Sequence, residues 1–178
     1  MSKFSPLSQS ALLEYFSYDP HTGVLTRIKK TSGRRGGIGE TVGSPCGQGY
    51  LQMRFFRKTL VHRVIWVMVY GVDISNLEID HINGIKTDNR LSNLRSATHS
   101  ENVANKHGRP KTVTGFWGVT CRGDSFAARI SMNNKTIFLG SYKNRYDAAL
   151  AYDAAAIEYH GEFATLNFPI EGMSEAAE

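Results

Sequence analysis

The chain has 178 residues, 41% of them hydrophobic, with 21 Lys and Arg against 16 Asp and Glu and a net charge of +5. That composition excludes wholesale disorder, and the pI near 9.3 favours a polyanionic partner. Cys46 and Cys121 are the two cysteines and form no Cys-x-x-Cys pair, which excludes a disulfide framework and a zinc knuckle.

The start lacks the long apolar core of a signal peptide, and the longest apolar run, residues 64–70, is too short to span a bilayer. A soluble, cytoplasmic chain is expected, with no membrane contact and no obligate protein partner. The length admits one domain or two small ones.

Residues 7–16 read as a short amphipathic helix with Leu12, Leu13 and Phe16 on one side. A turn at 18–23 and a strand at 24–28 follow. Residues 29–49 are rich in glycine and basic side chains. Arg34 and Arg35 are candidate DNA contacts there, a solvated loop being the alternative. Residues 50–55 and 59–61 suit paired strands around Arg57-Lys58, and 62–70 a helix stopped by Gly71. His62 and Arg63 open that helix as candidate phosphate contacts, although His62 also reads as a structural hydrogen-bonding histidine.

Residues 79–102 hold the densest chemistry. Residues 77–82 alternate apolar and polar, and Asn83-Gly84 is a turn signal because both residues tolerate positive φ. Adjacent strand residues point to opposite faces, so Asp80 and His81 can serve one site only where the strand runs out into that turn. Residues 91–97 suit a second short strand. Thr98 and Glu101 have capping-box spacing, which starts a helix at His99 and places Asn102 in its first turn. Asp80 and the amide oxygen of Asn102 are hard ligands suited to one Mg²⁺ or Mn²⁺. His81 can take a proton from water near neutral pH. Asn93 can accept a hydrogen bond from its other ring nitrogen; the alternative is that Asn93, like Asn89, caps the backbone of an irregular loop.

These residues make the stretch resemble the HNH endonuclease motif of ββα-metal nucleases, in its phage and intron homing form. His81 matches the first His, Asn93 the middle Asn, and Asn102 stands where many relatives have the last His. The resemblance covers about residues 60–105. It implies Asp80 and Asn102 as metal ligands, His81 as general base and Asn93 as its orienter.

Residues 106–114, with Lys106, Arg109 and Lys111, read as a basic linker able to follow a DNA backbone or serve as a plain tether. Beyond it, three short antiparallel strands at 116–122, 125–132 and 135–140 are separated by the hairpin signals Gly123-Asp124 and Asn133-Asn134. Asn144 caps a helix over 145–160, with Leu150, Ala154 and Ile157 along one face, and Ala148, Ala149, Ala151, Ala154, Ala155 and Ala156 let it approach the sheet closely. Gly118-Val119, residues 139–142, residues 148–155 and residues 166–169 together resemble the plant ethylene-response-factor (APETALA-type) DNA-binding domain, whose sheet lies in the major groove.

Arg122 matches a family arginine and Phe138 stands at a family tryptophan. Arg129 replaces a glutamate, and Thr120, Ser131 and Thr136 replace arginines. The plant recognition sequence is therefore not implied. Arg122, Arg129 and Lys135 are the candidate DNA contacts.

The expected protein is α+β: a nuclease module at 1–105, the linker at 106–114, a three-stranded sheet packed on one helix at 115–169, and an acidic tail at 170–178. It hydrolyses phosphodiester bonds in double-stranded DNA. The alternative is a DNA-binding regulator with an inactive nuclease module.

Overall fold

The computed structural model describes residues 8–30, 37–72, 76–105, 110, 112–133 and 135–169. Arg34, Arg35, Lys106, Arg109, Lys111 and the acidic tail lie outside the described residues. The fold is mixed α+β, and its chain divides into two compact units, residues 1–96 and 97–178.

In the first unit, helix α1 (Gln9–Tyr15) starts where the Ser8 hydroxyl accepts from the Ala11 N–H. It runs into a hairpin of β1 (Phe16–Asp19) and β2 (Val24–Arg27). Phe16 is thus a strand residue, and Leu13 is exposed rather than sharing the buried side with Leu12. A three-stranded antiparallel sheet follows, of β3 (Ser44–Pro45), β4 (Leu51–Phe55) and β5 (Arg57–Leu60). The β4–β5 turn centres on Phe56, one residue earlier than the sequence suggests.

Helix α2 (Val61–Tyr70) buries seven of its ten residues and stops at Gly71, which takes the left-handed conformation at φ 66°. The Gln9 side chain donates to the Met68 carbonyl at 2.9 Å, satisfying one of the end carbonyls that a helix leaves open. Leu12, Phe16, Leu25, Val61, Val64 and Ile65 are at most 1% exposed and form the centre of this core. Burying each is worth about 1.5–3 kcal/mol relative to exposure. The unit ends in a two-stranded ribbon of β6 (Glu78–His81) and β7 (Leu94–Ala97), with a single 3₁₀ turn at Leu91–Asn93 before β7.

In the second unit, α3 (His99–Ala104) opens with the full capping box, Thr98 and Glu101 bonding each other's backbone N–H. Its Ala104 joins Ala97 and Phe163 in a small buried cluster, and the Thr165 hydroxyl donates to the Ala104 carbonyl at 3.0 Å. Strands β8 (Val119–Arg122), β9 (Ser125–Met132) and β10 (Lys135–Tyr142) form an antiparallel sheet in the order β10-β9-β8. Helix α4 (Arg145–His160) begins at Asn144, whose side chain accepts from the Tyr146 N–H.

The packed face of α4 is Ala148, Ala149, Tyr152, Ala155 and Ala156, whereas Leu150 and Ile157 are exposed. The alanines pack against Ala128, Val119 and Ile130 of the sheet. At Gly118, φ +71°, a Cβ would fall 2.0 Å from the Tyr152 ring. Asp153 on α4 accepts from the backbone N–H groups of Asn167 and Phe168, both at 2.8 Å, and from the Asn167 amide at 3.0 Å. Asn167 in turn accepts from the Trp117 N–H. The residues that carried the resemblance here thus tie the chain after α4 to the helix and to the loop before β8.

Candidate active site

The β6–β7 ribbon presents Asp80 and His81 at its end, both buried, at 7% and 3% exposure. Past His81 the chain turns at once, with the Gly84 N–H donating to the His81 carbonyl at 2.9 Å. That turn is held by Asn93. Its amide oxygen accepts from the Asn83 N–H at 2.9 Å and its NH₂ donates to the Asp88 carbonyl at 2.8 Å.

Asn93 therefore spends its polar atoms on the loop backbone, and the His81 ring is bonded by a different amide. His81 Nε2 lies 3.1 Å from Asn89 Oδ1, both residues being buried. A carbonyl oxygen only accepts, so this contact places the proton on Nε2 and the basic lone pair on Nδ1. The orienting hydrogen bond that the sequence reading gave to Asn93 belongs to Asn89. The reason is geometric: Asn93 sits under the turn, whereas the loop between brings Asn89 back to the imidazole.

Asn89 is itself held from elsewhere. The Tyr18 hydroxyl donates to the Asn89 carbonyl at 2.8 Å, the Leu91 N–H donates to the Pro20 carbonyl at 3.1 Å, and Gly23 packs so closely that a Cβ would stand 2.5 Å from the Arg90 nitrogen. The β1–β2 hairpin thus buttresses the loop. Burial of Tyr18 raises its phenol to about 12, so it stays a donor at neutral pH. Asp88 is drawn inward too: the Arg90 guanidinium and the Asn83 amide bond its carboxylate and lower it to about 2.

Asp80 faces Arg95 across the ribbon, with Arg95 Nε donating to Oδ2 at 3.0 Å and both side chains largely shielded. His62, from α2, sets its ring edge-on to His81 with centroids 4.9 Å apart, and Tyr50 packs 5.1 Å from His62 and 5.8 Å from His81. Lys86 lies over the Tyr50 ring at 4.6 Å.

Burial, with the charges of His81 and Arg63 adding to it, pushes His62 down to about 3. His62 is therefore a neutral wall of the site. Burial likewise lowers His81, opposed by the Asn89 hydrogen bond and the Asp80 charge. A lowered imidazole is the form able to accept a proton at neutral pH. Arg63 donates to the Leu77 carbonyl at 3.0 Å, just before β6.

Asn102 stands half-buried in α3, in the second unit, its N–H donating to the Thr98 carbonyl at 3.0 Å. Among the described residues no three His, Cys, Asp or Glu side chains gather to hold a metal. The donor chemistry nevertheless fits a hard divalent ion, because Mg²⁺ is typically held by one or two protein oxygens with water and phosphate completing its shell.

In the second unit the direct cross-strand pairs Arg122–Ser125 and Arg129–Phe138 place both arginines on the sheet face turned away from α4. The Arg129 guanidinium lies 5.9 Å from the centre of the exposed Phe138 ring. Lys135 pairs with Met132 and shares the alternation of Ile137, on the helix side, so it does not join them.

Tyr18, Gly23 and Arg95 were not singled out from sequence, and Asn89 was read there only as a cap of the loop backbone. Only Arg95 carried a signal, a basic residue on the strand paired with the one bearing Asp80.

Residues 59–104 match the family model described as HNH endonuclease. An uncharacterised HNH endonuclease of Acanthamoeba polyphaga mimivirus is 32% identical over 112 residues, 62% of this chain and 58% of that protein. An AP2-like ethylene-responsive transcription factor of Arabidopsis thaliana is 37% identical over 63 residues, 35% of this chain and 12% of its own length. The solved structure titled DNA binding and cleavage by the HNH homing endonuclease I-HmuI is 26% identical, covers 51% of each chain and superposes with a TM-score of 0.40. The chain thus spans less than two thirds of the length of these relatives.

Proposed function

We propose that the HNH module at residues 59–104 makes this chain a metal-dependent endonuclease of double-stranded DNA, with the second unit adding a DNA-holding sheet. The observation that carries the reading is the Asp80–His81 pair at the ribbon end, with His81 Nε2 tied to Asn89 Oδ1 at 3.1 Å.

In that arrangement His81 Nδ1 takes the proton of the attacking water as its oxygen bonds to phosphorus and the bond from phosphorus to the sugar oxygen breaks, the leaving oxygen taking its proton from solvent water. Asn89 donates no proton; it holds the ring and accepts from Nε2, a contact that strengthens as the imidazole gains charge. His62 and Tyr50 wall the ring against bulk water. Asp80 would hold the divalent ion, which when bound stabilises the negative charge that develops on the phosphate oxygens; Asn102 is the second ligand that the HNH resemblance implies. The outer face of the β8–β10 sheet, with Arg122 and Arg129, suits a major groove, which is wide enough for strands. Tethering it to the nuclease raises the local DNA concentration.

The test is conversion of supercoiled plasmid by purified protein with Mg²⁺, with EDTA, and with His81→Ala and Asp80→Ala variants. Cutting should require the ion and fall at least ~10²-fold in His81→Ala, the scale of a lost general base. Asp80→Ala should also weaken Mn²⁺ binding, measured by calorimetry with uncleavable DNA present. Metal-independent cutting, or a His81→Ala variant as fast as wild type, overturns the reading.

A further inference from the structure

The tip of the β4–β5 hairpin is built against its own stability. Phe56 occupies the left-handed region at φ 55°, where bulky residues are outliers, and its ring is 78% exposed. Glycine would suit that position on both counts. The exposed ring sits tilted against Phe55 with centroids 4.4 Å apart, and Phe55 is 4% exposed and packed on Phe16 at 5.1 Å and Tyr15 at 5.2 Å. Phe56 thus carries apolar surface from the edge of the core into solvent.

The charges around it are arranged with equal cost. Arg54 and Lys58 are direct cross-strand partners, so two cations share one face, a pairing that destabilises a sheet. Arg57 follows the tip, and all three are exposed. None of them makes an ion pair among the described residues, and the sequence has no Asp or Glu between Glu40 and Asp73. Two open grooves of about 400 Å³ lie beside them, and both include Gln52 and Lys58. An anion is what this face lacks. Strain concentrated at one exposed position points to function at that position.

We infer that the β4–β5 hairpin is a second DNA-contacting element, in which Arg54 and Lys58 bind backbone phosphates and the Phe56 ring wedges against a base step and unstacks it. The inference rests on the nuclease reading for the identity of the polyanion, and on the hairpin geometry for everything else. Apolar wedges flanked by cations are how proteins exchange stacking energy for a bent duplex that wraps more of their surface. Pyrimidine–purine steps, the easiest to unstack, are where the wedge enters.

The experiment uses the full chain in EDTA, so that no cutting intervenes, with mixed-sequence restriction fragments of plasmid DNA as the probe. Gel shift at several salt concentrations gives affinity, and permanganate probing reports unstacked thymines. Wild type should give permanganate-reactive thymines at bound positions. Phe56→Gly should remove them and weaken binding about tenfold or more, the scale of one lost base–aromatic contact. The same variant should melt no lower than wild type, because glycine accepts this φ without strain. A merely structural Phe56 would give the opposite pair of results. Phe56→Trp should retain the reactive thymines. Arg54→Gln with Lys58→Gln should make the salt slope shallower by up to about two units.

Phe56→Gly binding with wild-type affinity and an unchanged permanganate pattern overturns the inference. Wild type that fails to cut with Mg²⁺ while Phe56→Gly still loses the reactive thymines overturns the nuclease reading and leaves the wedge standing.

Discussion

His81 Nε2 and Asn89 Oδ1 stand 3.1 Å apart in a part of the chain where both residues are almost completely enclosed. That contact decides which ring nitrogen is basic, and it depends on a loop held from the far end of the sequence. Asn89→Ala should lower single-turnover plasmid cleavage by about 10–100-fold, the usual cost of losing the group that orients a functional histidine. The sign of the pH effect follows from the contact. Asn89 raises His81, so its loss lowers the imidazole further and moves the acidic limb of the rate profile to lower pH while the plateau drops. A pH–rate profile of wild type and variant checks both; an unchanged profile would place the base elsewhere.

The buttress predicts an effect at a residue that touches no chemistry. Gly23→Ala forces a Cβ against the Asn89–Arg90 backbone at φ +73°. It should cost about 1–3 kcal/mol in urea denaturation and also reduce cleavage by displacing Asn89. Gly39 is the control, since it has a similar φ of +85° with open space around it. Gly39→Ala should destabilise through its backbone alone and leave turnover per folded molecule unchanged.

His62 gives the first unit a pH-dependent stability. Burial holds it at about 3 in the folded chain against an ordinary 6.5, so between these values the unfolded chain binds the extra proton. Stability from this source is complete above pH 6.5 and is lost as pH falls, at up to about 1.4 kcal/mol per unit. His62→Phe should therefore reduce the stability difference between pH 7 and pH 5 by about 2 kcal/mol. Urea midpoints of both proteins at the two pH values measure it; equal differences would mean that His62 is solvated.

The small cluster of Ala97, Ala104 and Phe163 seats α3 in the second unit, and α3 carries Asn102. Phe163→Ala should cost about 3 kcal/mol in that cluster and weaken Mn²⁺ binding to the protein–DNA complex, if Asn102 supplies an oxygen to the ion. Calorimetry on the folded variant, checked by circular dichroism, separates lost metal affinity from lost structure. Full metal affinity in that variant would remove Asn102 from the ligand set.

The local features of this protein were determined by sequence because their partners are near neighbours in the chain. The Asn83-Gly84 turn, the Gly71 stop, the Thr98–Glu101 capping box and the Asn144 cap each close within a few residues, so the residue types alone settle them. Asp80 and His81 were legible for the same reason, since a strand ending in a turn is the one place where adjacent side chains can converge.

Tertiary structure decided everything that required choosing among chemically equal partners. Asn83, Asn89 and Asn93 offer the same amide, and only the folded loop assigns Asn93 to the turn and Asn89 to the imidazole. Arg95 reaches Asp80 because two strands pair in one register, and Lys135 leaves the arginine face because β10 pairs with β9 in another. On α4, periodicity marked Leu150 and Ile157, which are exposed, while the alanines that the sequence offered for close approach, Ala148, Ala149, Ala155 and Ala156, are the ones the sheet took. The Tyr18 bond to Asn89 spans 71 positions of sequence, and no local preference encodes it. A hydrogen bond is short-ranged in space and indifferent to separation along the chain, so its partner is fixed only when packing has brought the two ends together.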